Sequence, residues 1–106
     1  MRSLTALDDA MGRPSLAIAS SDTVLAVLLT AGAPRQIPVP AGARIVLFSA
    51  TAPFWARIGG AAGVPAADVL DGTAAELNPV ARQVRGAGFI GLAAAANTTV
   101  SLSFYG

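Results

Sequence analysis

From Pro14 onward, glycine and proline occur frequently along this chain, and they disfavour long helices over most of it. From Gly12 onward the apolar runs are short, and turn-forming residues separate them at roughly the 8–12 residue spacing of sandwiches and barrels. The runs that we interpret as strands, several of them rich in β-branched residues, cover residues 15–19, 23–30, 36–39, 44–50, 54–58, 88–93 and 98–105.

The run 98–105 shows the clearest strand pattern. Val100, Leu102 and Phe104 alternate with small polar residues, and successive side chains of a strand point to opposite faces. One face of this strand is therefore expected in the core, and the other in water or at an interface.

These runs predict an all-β protein, an antiparallel β-sandwich that is jelly-roll-like. We expect residues 15–106 to form one sandwich domain, since a chain of 106 residues has room for a single core. One long loop is expected at 59–85, because Gly72 and Pro79 oppose a continuous helix there. A short extended or helical piece is expected near residues 74–77.

Residues 1–14 are expected to form an N-terminal arm. Leu4, Leu7 and Met11 lie at helical spacing after Ser3, which is a residue type that caps helices. Two alternatives stay open: a short helix, or a strap that becomes ordered only on a neighbouring subunit.

Charge is scarce in this chain. Charged residues make up 12% of the sequence and apolar residues 54%, whereas an average domain has about 25% charged residues. Such a chain is expected to hide part of its surface against neighbours, although the many alanines inflate the apolar count. The seven basic residues are all arginines scattered along the chain, and the net charge is +1, so we predict no nucleic-acid partner.

The stretch 16–33 is apolar, but it contains Ser20, Ser21 and Asp22. A spanning helix needs about 20 predominantly apolar residues. We therefore predict no membrane association for this stretch.

Several catalytic classes lack their residues. The sequence has no cysteine, no histidine and no lysine, which excludes thiolate nucleophiles, a Ser-His-Asp triad and a Ser-Lys dyad. We predict that the protein is not an enzyme and has no cofactor. Asp68, Asp71 and Glu76 could form an irregular oxygen site for a metal. The alternative is a turn at Asp71-Gly72, with Glu76 capping the backbone or paired with an arginine.

Trp55 and Arg57 are expected on one face of a strand, with Phe54 and Ile58 on the other. An aromatic ring beside a cation suits sugar binding or a protein interface, while the alternative is a core tryptophan covered by the arginine stem. Leucines and valines of the stretch 16–29, Val24 and Val27 included, are expected to be exposed where they face away from the core, unless a partner covers them. The candidate interface residues are Leu4, Leu7, Met11, Leu25, Leu28, Trp55 and Arg57.

The second half of the chain carries a series of structural motifs. An aromatic strand is followed by Gly-Gly, Val-Pro, Asp-Gly-Thr, Glu-Leu-Asn-Pro, an arginine and a terminal Ser-Leu-Ser-Phe-Tyr strand. The motif residues are Phe54, Gly59, Gly60, Val64, Pro65, Asp68, Asp71, Gly72, Thr73, Glu76, Leu77, Asn78, Pro79, Arg82, Phe104 and Tyr105. This series, within residues 37–106, resembles small virion-structural proteins of tailed bacteriophages and prophages.

The resemblance implies a non-catalytic structural protein of a phage particle that decorates or cements the capsid. It would then be located in the virion, and its partners would be other virion proteins, above all the major capsid protein. The scarcity of charge adds the expectation of a homo-oligomer. The alternative function is a carbohydrate- or receptor-binding module of a phage fibre or spike, based on Trp55, Arg57 and the long loop.

Overall fold

The protein is built from strands. The computed structural model describes the backbone of residues 1–4, 6–8 and 14–106 and the side chains of residues 1–4 and 17–106, and no helix occurs among them. In chain order the strands are β1 (Ala6–Asp8), β2 (Pro14–Ile18), β3 (Thr23–Leu29), β4 (Arg35–Pro38), β5 (Ile45–Ala50), β6 (Trp55–Ile58), β7 (Glu76–Leu77), β8 (Ala81–Gln83), β9 (Phe89–Ala93) and β10 (Thr98–Tyr105). The all-β prediction is confirmed.

Strands β3 to β10 form a sandwich of two four-stranded sheets. The first sheet has the order β3-β10-β5-β8 and the second sheet has the order β4-β9-β6-β7. All of their pairings are antiparallel. The chain passes from one sheet to the other at every connection except β6–β7, and this winding of eight strands is the double Greek key of a jelly roll.

The core lies between the two sheets. Val100, Leu102 and Phe104 of the central strand β10 are fully buried, and Ile90 and Leu92 of β9 face them from the second sheet. The alternating pattern of β10 correctly predicted which of its side chains lie in the core. The rings of Phe48 and Phe54 join the sheets further along, with centroids 5.6 Å apart.

The predicted loop at 59–85 contains two short strands. The extended alternative for residues 74–77 is confirmed by β7, which pairs with β6, whereas β8 was not foreseen. A strand of three residues is too short to show an alternating pattern. The sequence alone therefore does not indicate that β8 pairs with β5. The irregular part of the segment covers residues 59–75.

The N-terminal segment forms a hairpin. Strands β1 and β2 make a separate antiparallel sheet in which Ala6 pairs with Ile18 and Asp8 with Pro14. The helical alternative for the arm is therefore wrong at residues 6–8, and the sandwich begins at Thr23, because β2 pairs with β1 and with neither large sheet.

The molecule is longer than a compact domain of its size. Its radius of gyration is 15.2 Å and its principal axes measure 52 × 26 × 26 Å, whereas about 13 Å is the radius of gyration expected for 100 residues. Since β1 and β2 belong to neither large sheet, we attribute the excess length to this hairpin.

Candidate interaction surfaces

The outward strand positions of the first sheet carry no charged side chain, although Arg44 and Arg85 lie beside Ile45 and Gln83 at one end of this face. The strand register shows which residues of the first sheet point outward, away from the side of Val100, Leu102 and Phe104. These positions are occupied by apolar, alanine, serine, threonine and glutamine residues, namely Val24, Ala26, Leu28, Ile45, Leu47, Ser49, Ala81, Gln83, Thr99, Ser101, Ser103 and Tyr105. A surface of small and apolar groups costs little free energy to dehydrate, which suits it to docking.

One end of this face is closed by the connection that leads from the arm. The Tyr105 hydroxyl donates a hydrogen bond to Ala19 O over 2.8 Å, and Ser21 Oγ donates to Phe104 O over 2.6 Å. These bonds explain why Tyr105 is buried although its strand position points outward. They also fix the connection from the arm to the sandwich.

The protein's own loop lies on part of the outer face of the second sheet. A Cβ added at Gly91 on β9 would overlap the carbonyl oxygen of Gly60 and the amide nitrogen of Ala62. The segment around Gly60–Ala62 therefore lies directly on the sheet, and Gly91 is the residue type that permits this approach. The two sheets differ accordingly: the loop lies on the second sheet around Gly91, and among the described residues the connection from the arm contacts one end of the first sheet's outer face.

Arg57 attaches the loop further along. Its Nη1 donates a hydrogen bond to Thr73 O, and its side chain lies against Gly60. Trp55 and Arg57 do share an outward face, opposite Ala93 and Gly91 of β9. Both are half-buried, and the guanidinium of Arg57 is engaged within the chain.

The predicted turn at Asp71-Gly72 is confirmed. Asp71 Oδ1 accepts hydrogen bonds from Thr73 Oγ1 at 2.6 Å and from Thr73 N at 3.1 Å, and Gly72 adopts a φ of 85°. The bonds from Thr73 lower the pKa of the Asp71 carboxyl, because they stabilise its charged form.

Glu76 pairs with an arginine, as the turn interpretation proposed. Glu76 Oε2 accepts a hydrogen bond from Arg82 Nε at 2.7 Å and a second from Nη2. Glu76 lies on β7 and Arg82 on β8, so the pair connects the two sheets at one side of the sandwich. The guanidinium lowers the pKa of Glu76 against the opposing effect of partial burial, and the carboxylate raises the pKa of Arg82.

The acidic residues of this region do not converge. Among the residues that the structure describes, no group of three His, Cys, Asp or Glu side chains could hold one metal ion. A groove of about 270 Å³ is open to solvent and is lined mainly by Phe48, Phe54, alanines, prolines and Val80, and none of the three acidic residues lines it. Asn78 is at its rim, where its side chain binds the Phe54 backbone.

The other predicted interface residues fall in different places. Leu28 on β3 is 69% exposed, whereas Leu25 packs against the core from the inner face of the same strand. Leu4 is half-buried. The side chain of Leu7 and the whole of Met11 lie outside the described residues.

Val24, one of the apolar residues of the stretch 16–29 among which exposed side chains were expected, is 52% exposed on β3. Sequence reasoning missed the part that two other residues play in shaping these surfaces. The sequence gives little indication of the roles of Asn78 and Gly91. The left-handed backbone of Asn78 and the contact of Gly91 with the loop both depend on tertiary contacts.

Comparison of the chain with known protein families, with curated sequences and with solved structures gives no match. Within the described residues there is no helix with the length and apolarity needed to cross a bilayer.

Proposed function

We propose that this protein is a non-catalytic structural subunit of a bacteriophage particle, where it decorates or cements the capsid. The observation that carries the proposal is the outer face of the first sheet, whose strand positions carry no charge, on a chain that also has a separate hairpin. A cement protein needs an uncharged face that dehydrates on the lattice and an extension that reaches a neighbouring subunit.

The fold supports this role by analogy. Jelly rolls occur in viral capsid proteins, in lectins and in cupins, so the fold is compatible with a capsid role without specifying it. The sequence resemblance to virion-structural proteins points toward the first of these classes.

The acidic side chains support a structural role rather than chemistry. Asp71 is held in a turn by Thr73, and Glu76 is held by Arg82. Their pKa values are lowered, so both carboxyls are ionised near neutral pH, and neither is tuned to act as a general acid there.

The carbohydrate-binding alternative has less support. It requires the indole of Trp55 beside an available cation, but Arg57 donates to Thr73 O. The loop also runs over the neighbouring Gly91. A glycan array with the wild type and Trp55→Ala tests this alternative, and loss of a glycan signal in the variant would favour it.

Purified particles of the parent phage test the main proposal. We expect mass spectrometry to find the protein in mature virions in a fixed ratio to the major capsid protein. Its absence from virions would overturn the proposal.

A binding assay locates the contact face. Ser101→Arg places a charge at the centre of the first sheet's outer face, and we expect it to abolish rebinding to particles that lack the protein. Ala74→Arg adds the same charge to the exposed loop and is the matched control. Equal rebinding of both variants would exclude this face as the lattice contact.

A further inference from the structure

The sandwich has four edge strands, and three of them are protected against pairing with another chain. Edge strands are usually kept short or carry charges or proline, because their free backbone groups otherwise recruit further strands. Strand β7 has two residues and contains Glu76, β8 has three and contains Arg82, and β4 has four and contains Arg35 and Pro38.

Strand β3 has none of these protections in its own residues, although the charged side chain of Arg35 contacts its edge at Leu28 O. It contains seven residues, Thr23–Leu29, without a charge or a proline. Its register with β10 runs without a bulge from Thr23 to Leu29. Among the residues that the structure describes, no strand pairs with its other side.

The hydrogen bonds around β10 show which groups of β3 face the open edge. Thr99 O accepts from Thr51 N and Tyr105 O accepts from Arg44 N, so the odd-numbered residues of β10 direct their backbone groups toward β5. The even-numbered residues of β10 therefore bond to β3. Their register partners are Thr23, Leu25, Val27 and Leu29.

The remaining residues of β3 direct their N–H and C=O groups outward, because backbone groups alternate in direction along a strand. These residues are Val24, Ala26 and Leu28. Arg35 Nη1 donates to Leu28 O at 3.2 Å, which agrees with an outward carbonyl. That oxygen has a second lone pair and can accept another bond.

This edge is complementary to itself. Ala26 is its midpoint, and Val24 and Leu28 lie two residues to either side. If a second copy of β3 paired antiparallel with the first and was centred on Ala26, the outward N–H and C=O groups of one copy would face those of the other at all three positions. It would also set Val24 of each copy beside Leu28 of the other, on the uncharged face. These are the side chains that the single chain leaves 52% and 69% exposed.

We propose that β3 pairs with β3 of a second copy around a two-fold axis at Ala26, which joins two first sheets into one continuous sheet. A two-fold interface requires a surface that is complementary to itself, and apolar cross-strand pairs stabilise such a ladder. The proposal does not depend on the virion assignment, because it concerns the isolated chain.

Sedimentation equilibrium of the full chain tests the association. An edge contact is smaller than a standard interface of about 800 Å² per partner, so the concentration series should extend into the millimolar range. We expect a species of twice the chain mass of 10.5 kDa. A monomer at every concentration would overturn the proposal.

Charge substitutions test the register. Leu28→Lys should weaken the dimer by at least about tenfold, because each copy loses an apolar cross-strand contact. Leu70→Lys, at a 90% exposed loop position, is the matched control and should leave the affinity of the dimer unchanged. The double variant Val24→Lys/Leu28→Lys should be monomeric, whereas Val24→Glu/Leu28→Lys should recover the dimer, because opposite charges then face each other twice.

A cysteine tests the position of the axis. The natural sequence has no cysteine, and hydrogen-bonded antiparallel partners have Cα atoms about 5.5 Å apart, within disulfide range. Under mild oxidation, Ala26→Cys should give a covalent dimer much faster than Leu70→Cys. A dimer that persists in the Lys variants, or one that Ala26→Cys fails to trap, would place the contact elsewhere and overturn the proposal.

Discussion

Asn78 and Phe54 are joined by two reciprocal hydrogen bonds. Phe54 N donates to Asn78 Oδ1, and Asn78 N donates to Phe54 O, each over 2.9 Å. Asn78 adopts a φ of 50°, in the left-handed region that asparagine tolerates better than most residues. This pair fastens the end of the long loop to the start of β6.

Asn78→Ala is expected to lower the free energy of unfolding by about 1–3 kcal/mol, because Phe54 N loses its acceptor and alanine is strained at this φ. Asn78→Gly should cost less, since glycine adopts the φ freely. Urea denaturation of both variants measures the difference. An alanine variant as stable as the wild type would contradict the role given to this pair.

Gly91→Ala is expected to displace the loop from the second sheet, because the new Cβ would overlap Gly60 O. Hydrogen exchange at residues 60–62 should accelerate, and Tm should fall. Gly88→Ala adds the same methyl group where no atom lies within 4 Å, and it should leave the exchange at these residues unchanged. Equal behaviour of the two variants would mean that the loop does not rest on Gly91.

Leu102→Ala is expected to destabilise the protein by about 2–5 kcal/mol, the usual cost of a cavity in a packed core. Leu102 is fully buried on the central strand β10. Leu70→Ala makes the same change at a 90% exposed position and should be close to neutral. Chemical denaturation of both variants separates the effect of burial from that of exchanging leucine for alanine at the surface.

The ion pair between Glu76 and Arg82 predicts a loss of stability in acid. The folded-state pKa of Glu76 is lowered by Arg82, so the pair contributes fully above the ordinary glutamate pKa of about 4.3. This contribution is lost as the pH falls through the lower folded-state pKa. The two side chains are 41% and 47% exposed, so solvent screens the pair and the effect should be small.

Thermal melts between neutral and acid pH measure this effect. Glu76→Gln should lower Tm slightly at neutral pH and should reduce its acid dependence. Asp68→Asn removes another exposed carboxylate of the same region and serves as the matched control. A Glu76→Gln variant with an unaltered pH profile would show that the pair contributes nothing measurable.

Most strands could be predicted from the sequence, because their evidence is local. The alternation in residues 98–105 and the turn signals between runs give positions within one or two residues of β10, β5 and β9. The turn at Asp71-Gly72 could also be foreseen, since an aspartate that accepts bonds two residues onward is a local motif.

The surfaces could be predicted only in part. Leu28 was expected outside and is exposed, but Leu25 of the same strand packs inward. Trp55 and Arg57 were expected to share a face, and they do. The bond from Arg57 to Thr73 could not be foreseen, because it depends on where the long loop returns to the sheet.

The sequence by itself determined the fold class, the short strands and the scarcity of charge, because glycine, proline and alternation act over a few residues. Only the tertiary structure decided which strands are neighbours, which sheet the loop covers and which edge remains open. Strand pairing joins residues far apart in the chain, and Val24 and Ala26 are exposed at an edge only because β10 occupies the other side of β3. That arrangement depends on closing the whole sandwich around one core, which no local pattern specifies.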